Sequence, residues 1–245
     1  MLHVGTNDPA TWDNERPLRT IPLPSSFGVD ALPVTNADFV AFISDGGYTN
    51  PTWWSADASW VDSQRLLRPH TFTADLAHVH CALGRVAMSV AARWPAQVTL
   101  MEARAFCRWR SARAGRPARV MTEAEFEALT AGQDYAAMAA AGNCGWKHWH
   151  MVPVGSSGAA NATADGVAEL VGNGWEWTDT PLEAHSGFVA GKRYKEYTTD
   201  FFDGCHFVLR GAGPCTDIGL CRQTFRNFFQ DKYPYMTAKF RCVYD

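Results

Sequence analysis

The stretch Gly172-Asn173-Gly174-Trp175-Glu176-Trp177-Thr178-Asp179 decides how the rest of the chain is read. Alternation along an extended backbone puts Trp175 and Trp177 on one face, where two indoles bring a large apolar area to a core. Asn173 and Glu176 can offer oxygens to a hard cation, so a structural calcium ion is expected at these two residues. The same pattern also suits a glycine turn that merely carries core aromatics. Val167-Ala168-Glu169-Leu170-Val171, just before it, reads as a short buried segment that delivers the loop from the interior.

Outward from this loop, composition sets limits. The chain has 245 residues, 47% hydrophobic and 19% charged, enough for one full core or two small ones. Its 10 tryptophans and 14 phenylalanines are more than usual, and rings cover much area per residue, which suits a fold of packed loops. A formal charge of −3 leaves no polybasic surface, so nucleic acid is not an expected partner. No apolar run reaches the length of about 18 residues that a membrane-spanning helix needs. Met1 to Pro9 lack the basic start and apolar centre of a secretory signal. Together with seven dispersed cysteines, this points to reduced thiols in an intracellular compartment, cytoplasmic or organellar after processing.

Residues 1–27 read as an extended arm. Pro9, Pro17, Pro22 and Pro24 deny it regular helix, and Trp12, Leu18, Ile21 and Leu23 need a surface to lie on. That surface belongs either to the same chain or to another protein, and protein partners are expected through this arm. From residue 28 to 245 one domain is expected. Thr35 or Asn36 caps a helix whose Phe39, Phe42 and Ile43 face inward, and Gly46-Gly47 ends it. Thr99-Leu100-Met101-Glu102 and Thr122-Glu123-Ala124-Glu125 are capping boxes that open two more helices, to Arg113 and to about Ala131. Cys81 to Ala92 is expected to be extended for part of its length. Glycine is frequent from Gly132 onward, so strands there must be short. The fold class is α+β.

Several blocks in order carry a resemblance. Gly172-Asn173-Gly174-Trp175-Glu176-Trp177 is followed by Asp200 to Gly204, His206 to Gly211, Phe225-Arg226-Asn227-Phe228-Phe229-Gln230 and Tyr233-Pro234-Tyr235. Weaker echoes lie upstream in Pro33 to Asn36, Asp45 to Tyr48 and Thr122 to Phe126. The chain resembles the formylglycine-generating-enzyme (sulfatase-modifying factor) domain, and within it the ergothioneine-biosynthesis sulfoxide synthases, especially the eukaryotic type. The resemblance implies a C-type-lectin-like fold with little regular secondary structure.

It also implies where chemistry would lie. Asn227 matches the asparagine that contacts the histidine-derived substrate, and Phe229 stands where bacterial members carry an acidic residue for the second substrate. The family's catalytic tyrosine precedes Asp200, which makes Tyr194 and Tyr197 the candidates. The resembled synthases bind catalytic iron through a separate helical domain, with a His-x-x-x-His-x-Glu helix that does not occur in this sequence. An iron site is therefore expected to be missing from this chain. The sulfatase activators hold copper with Cys-x4-Cys, whereas Cys215 and Cys221 are spaced Cys-x5-Cys, one strand step out of phase. His78-Val79-His80 and His148-Trp149-His150 invite a metal reading only if further ligands join them.

Two departures, Gly211-Ala212-Gly213-Pro214 for Gly-Gly-Ser-Trp and Lys239-Phe240-Arg241 for Gly-Phe-Arg, imply a rebuilt pocket wall. The expectation is a stand-alone sulfoxide-synthase-like domain without autonomous catalysis, serving as a binding or structural module. The alternative is an iron- and oxygen-dependent sulfoxide synthase that relies on a separate iron-binding domain. A lectin-like ligand binder with structural calcium is a third class.

Overall fold

The computed structural model describes residues 1–192 and 194–245. The chain opens with β1 (Leu2–Val4), which pairs antiparallel with β2 (Arg19–Ile21). Between them Asp13, Asn14 and Glu15 form a single 3-10 turn, and all three are buried. Burial is tolerated because both carboxylates and the Asn14 amide nitrogen are met, although Asn14 Oδ1 has no partner. The Asp13 carboxylate accepts from the Gly191 N–H at 2.9 Å and the Thr198 hydroxyl at 2.5 Å. Asn14 Nδ2 donates to the Arg226 carbonyl at 3.4 Å. Glu15 takes the Arg222 guanidinium at 2.9 and 2.5 Å and the Thr224 hydroxyl at 2.6 Å. Of the two surfaces open to the arm over residues 1–27, these bonds put its Asp13–Glu15 turn on the 28–245 part of the same chain.

β3 (Gly28–Val29) leads to α1 (Asn36–Ser44). Thr35 Oγ1 accepts from the Asp38 N–H at 3.2 Å, and the Asp38 carboxylate accepts from the Thr35 N–H at 3.0 Å, the reciprocal box that satisfies two orphan donors. A short α2 (Ala58–Ser63) follows. The stretch expected to be extended is partly so: β4 (His78–Cys81) and β5 (Gly84–Ala87) form a hairpin, and α3 (Met88–Ala91) adds one helical turn. α4 (Leu100–Ala114) begins at the Thr99–Glu102 box and ends at Gly115, whose φ of 67° is the left-handed cap that glycine adopts without strain. β6 (Ala118–Val120) and α5 (Glu123–Thr130) come next, then α6 (Tyr135–Ala141), a helix the sequence reading did not anticipate.

The second half supplies β7 (Gly174–Pro181), α7 (Glu196–Thr199), β8 (His206–Ala212), β9 (Asn227–Gln230), β10 (Ala238–Lys239) and β11 (Cys242–Tyr244). One sheet runs β10-β7-β8-β9, antiparallel except that β10 lies parallel to β7. A second runs β3-β11-β6, with β11 antiparallel to both neighbours. The main core fills the space between α1, α4 and these sheets. There Phe39 stacks on Phe106 at 5.5 Å, and Phe106 meets Phe240 edge-on at 5.4 Å. Each such fully buried phenylalanine contributes about 2–3 kcal/mol by area. The architecture is α+β with small sheets and many loops. Among the described residues no helix is long and apolar enough to cross a membrane.

Candidate functional site

β7 begins in the loop that opened the sequence reading. Gly172 has a φ of 85°, and a Cβ there would meet the Asn143 backbone nitrogen at 2.7 Å, so the turn admits no side chain. Trp175 packs on Phe225 at 5.7 Å, and the Trp177 indole donates to the Val98 carbonyl at 2.9 Å. The polar residues of the loop are engaged from within the chain. Asn173 Oδ1 accepts from the Val152 N–H at 2.8 Å and from Asn143 Nδ2 at 3.1 Å, while its Nδ2 donates to the Val152 carbonyl at 2.9 Å. Glu176 is buried and receives the Arg241 guanidinium at 2.9 and 3.2 Å. The Lys239 ammonium donates to the carbonyls of Gly172 at 2.7 Å and Gly174 at 2.5 Å, and lies 3.6 Å from Glu176. Burial pulls the Lys239 pKa down to about 8, while the Glu176 carboxylate works to keep the proton on. The oxygens expected to hold calcium at Asn173 and Glu176 thus have protein donors, and as they stand they do not fit a bound divalent ion.

A second cluster gathers around β9. The Trp12 and Tyr197 rings stack at 4.1 Å, Tyr194 lies 6.0 Å from Tyr197, and Phe228 meets Tyr197 edge-on at 5.7 Å. Phe201 and His206 close the group, at 5.0 and 6.2 Å from the Phe228 ring. The His206 Nδ1–H donates to the Asp203 carboxylate at 2.9 Å, which fixes the ring. Burial, helped by the nearby Glu15 and Asp13 carboxylates, raises the Tyr197 hydroxyl to about 12, so it stays protonated at neutral pH. Tyr194 is exposed. It borders a cleft of about 720 Å³ whose other walls include Trp12, Arg16, Gly191 and Lys192. The cleft therefore pairs aromatic faces with two cationic side chains. Its carboxylate, Asp13, is already engaged by Gly191 and Thr198.

The predicted site residues fall into two groups. Tyr194 and Tyr197 come together with Phe228, a residue inside the quoted block whose role the reading missed. Asn227 and Phe229 alternate to the opposite face of β9, and Phe229 stacks on Tyr233 at 4.8 Å. The Asn227 side-chain oxygen accepts from the Phe228 N–H at 2.9 Å. Trp12 was read as an anchor of the arm, and no local pattern could reveal a contact with a residue so distant in sequence.

Beneath the aromatic group lies an ionic floor. Glu123 takes the Arg226 guanidinium at 2.8 and 2.9 Å and Arg210 at 2.8 Å, and Arg210 also reaches Glu127 at 2.7 Å. Burial pushes the Glu123 carboxyl up, but Arg226 and Arg210 outweigh it and hold the group at about 2. Arg226 also donates to the Asn14 carbonyl at 3.3 Å, so the floor ties β9 to the arm.

The other metal readings do not converge. His148 and His150 rings are 6.5 Å apart, with His150 stacked on Trp94. Cys215 is exposed, while Cys221 is buried and its Sγ donates to the Asp217 carbonyl at 3.5 Å. Among the described residues no three His, Cys, Asp or Glu side chains are grouped to hold a metal.

The family description "Sulfatase-modifying factor enzyme 1-like domain" matches residues 2–245. The chain belongs to that family. The match includes the N-terminal arm, whose Asp13–Glu15 turn is buried while Trp12, Leu18 and Leu23 stay exposed. Hercynine oxygenase of Mycolicibacterium smegmatis is 34% identical over 90% of this sulfatase-modifying-factor-type chain and 53% of its own length. Hercynine oxygenase of Mycobacterium tuberculosis is 32% identical over 97% of this chain and 56% of its own length. Ergothioneine biosynthesis protein 1 of Schizosaccharomyces pombe is 26% identical over 95% of this chain and 27% of its own. The chain thus spans about half the length of the curated bacterial relatives, and less of the fungal one. It is a sulfoxide-synthase-like domain homologous to part of them. Among solved structures, PvdO from Pseudomonas aeruginosa superposes with a TM-score of 0.62 at 16% identity, covering 100% of this chain and 90% of that one. Treponema denticola variable protein 1 gives a TM-score of 0.65 at 17% identity, covering 99% and 91%. These two likenesses concern the fold alone.

Proposed function

We propose that this chain is the substrate-holding half of a hercynine oxygenase of the sulfoxide-synthase type, inactive until a separate iron-binding domain supplies the metal. The cleft beside Tyr194 carries the reading. Hercynine is the trimethylammonium betaine of histidine. A quaternary ammonium is held by aromatic faces, which Trp12, stacked on Tyr197, and Tyr194 offer to the cleft, and a carboxylate suits the nearby Arg16 and Lys192. The relatives named hercynine oxygenase support the substrate class. Their additional length leaves room for the metal-binding part. Bound iron would activate oxygen, while this chain's own residues would bind and orient the betaine, and Tyr194 would stand at the cleft to exchange a proton through its hydroxyl.

Isothermal titration of the chain with hercynine tests the reading, together with oxygen uptake in the presence of ferrous iron and a thiol. Saturable binding that weakens about tenfold in Trp12→Ala is expected, with no oxygen uptake by the chain alone. Absence of binding, or binding indifferent to Trp12→Ala, would sink the substrate assignment. Turnover by the isolated chain with added iron would sink the dependence on a second domain.

A further inference from the structure

A separate cleft of about 310 Å³ lies where β4, the residues around Trp94 and the Trp149–Met151 segment meet the loop after β8. Among the described residues its lining contains no aspartate, glutamate, lysine or arginine. Aromatic rings supply its walls: Trp94 and His150 are stacked at 4.7 Å with an interplanar angle of 8°, and Tyr235 meets His70 edge-on at 4.7 Å. At the rim Trp149 is 54% exposed and lies 5.2 Å from the equally open Trp146, an apolar pair with no core to fill.

Asn36 also lines this cleft and is only 1% exposed. Its Nδ2 donates to the Ala91 carbonyl at 2.9 Å, yet its Oδ1 accepts from no protein group. A buried acceptor left unmet costs about 1–3 kcal/mol, so a donor at this position would be favoured. His150 provides a second acceptor. Its Nδ1 lies 2.7 Å from the Met151 carbonyl, which can only accept, so Nδ1 carries the hydrogen and Nε2 of the neutral ring is an acceptor.

We propose that this cleft binds a small, flat, uncharged heteroaromatic ring whose N–H is directed at Asn36 Oδ1. The volume is at the lower end for ligand pockets and admits one or two fused rings. A carboxylate or a fixed cation would be desolvated there without a counter-charge, and a polyol would bury hydroxyls against aromatic walls. This site is distinct from the cleft beside Tyr194, and the inference does not rest on the hercynine reading.

Benzimidazole is a suitable probe, with 1-methylbenzimidazole as the same ring lacking its N–H. Calorimetric titration of the full chain should give saturable one-to-one binding of benzimidazole. The methylated ring should bind about tenfold more weakly, the loss of one buried hydrogen bond. Trp149→Ala, at an exposed position whose folding is checked by circular dichroism, should weaken benzimidazole about fivefold. Phe228→Ala, in the other cluster, should leave it unchanged. No saturable binding, equal affinity for the methylated ring, or a loss produced by Phe228→Ala in place of Trp149→Ala would each overturn the proposal.

Discussion

Lys239 donates to two carbonyls of the Gly172–Trp177 loop and faces Glu176, placing a fixed positive charge where a mobile ion was expected. Replacing it by methionine removes the charge, leaves the Gly172 and Gly174 carbonyls without this donor, and leaves Glu176 only Arg241. A cost of about 3–5 kcal/mol is expected, as for other buried pairs broken on one side, readable as a lowered urea midpoint. The wild-type melting temperature should be indifferent to a chelator. Lys239→Gly, by contrast, frees the two carbonyls and should be stabilised by added calcium, since a ligand of the native state alone raises stability by mass action. A wild-type protein that melts earlier in chelator would contradict this account. The loop was legible as far as its tryptophans and its turn, because those follow from residues next to one another. Its cation was not, because Lys239 reaches it from another strand.

Among elements, the helices were the most readable and the arm the least. α1, α4 and α5 announce themselves through a threonine and an acidic residue three positions on, a signal contained within one turn. β10 and β11, of two and three residues, carry no period long enough to detect. The arm was read from its prolines and apolar residues, whereas its attachment depends on Asp13, Asn14 and Glu15. Deleting residues 1–24 should therefore destabilise the domain, because Arg222, Thr198 and Arg226 lose partners they hold in the interior. A loss of at least about 3 kcal/mol in equilibrium unfolding is expected. An unchanged unfolding midpoint in the truncated chain would show that the arm is dispensable. Half of the candidate site was legible for the same reason of distance: Tyr194 and Tyr197 are close in sequence, but Trp12 joins them only through the fold.

Across the whole molecule, the seven thiols are free, and their reactivity should follow depth. Cys205 and Cys215 are exposed and should label first with a maleimide, ahead of the half-buried Cys81. Cys107, Cys144, Cys221 and Cys242 are buried and should label only after unfolding, although Cys107 and Cys242 sulfurs lie 3.6 Å apart. Burial raises the Cys107 thiol pKa, which further protects it. Peptide mapping without reductant checks this order, and a Cys215–Cys221 bridge in native material would contradict it.

The placing of β11 between β3 and β6 has a consequence for biosynthesis. Val243 pairs with both Val29 and Arg119, so the middle strand of that sheet is made more than a hundred residues after its neighbours. β10 likewise arrives late to cover the edge of β7, bringing with it the Lys239 that neutralises Glu176. A growing chain can form its capped helices early, but it cannot close either sheet until residues 238–244 have left the ribosome. Until then two strand edges and a buried carboxylate are open to water and to other chains, a long-range order that slows folding and leaves the half-made protein prone to aggregation.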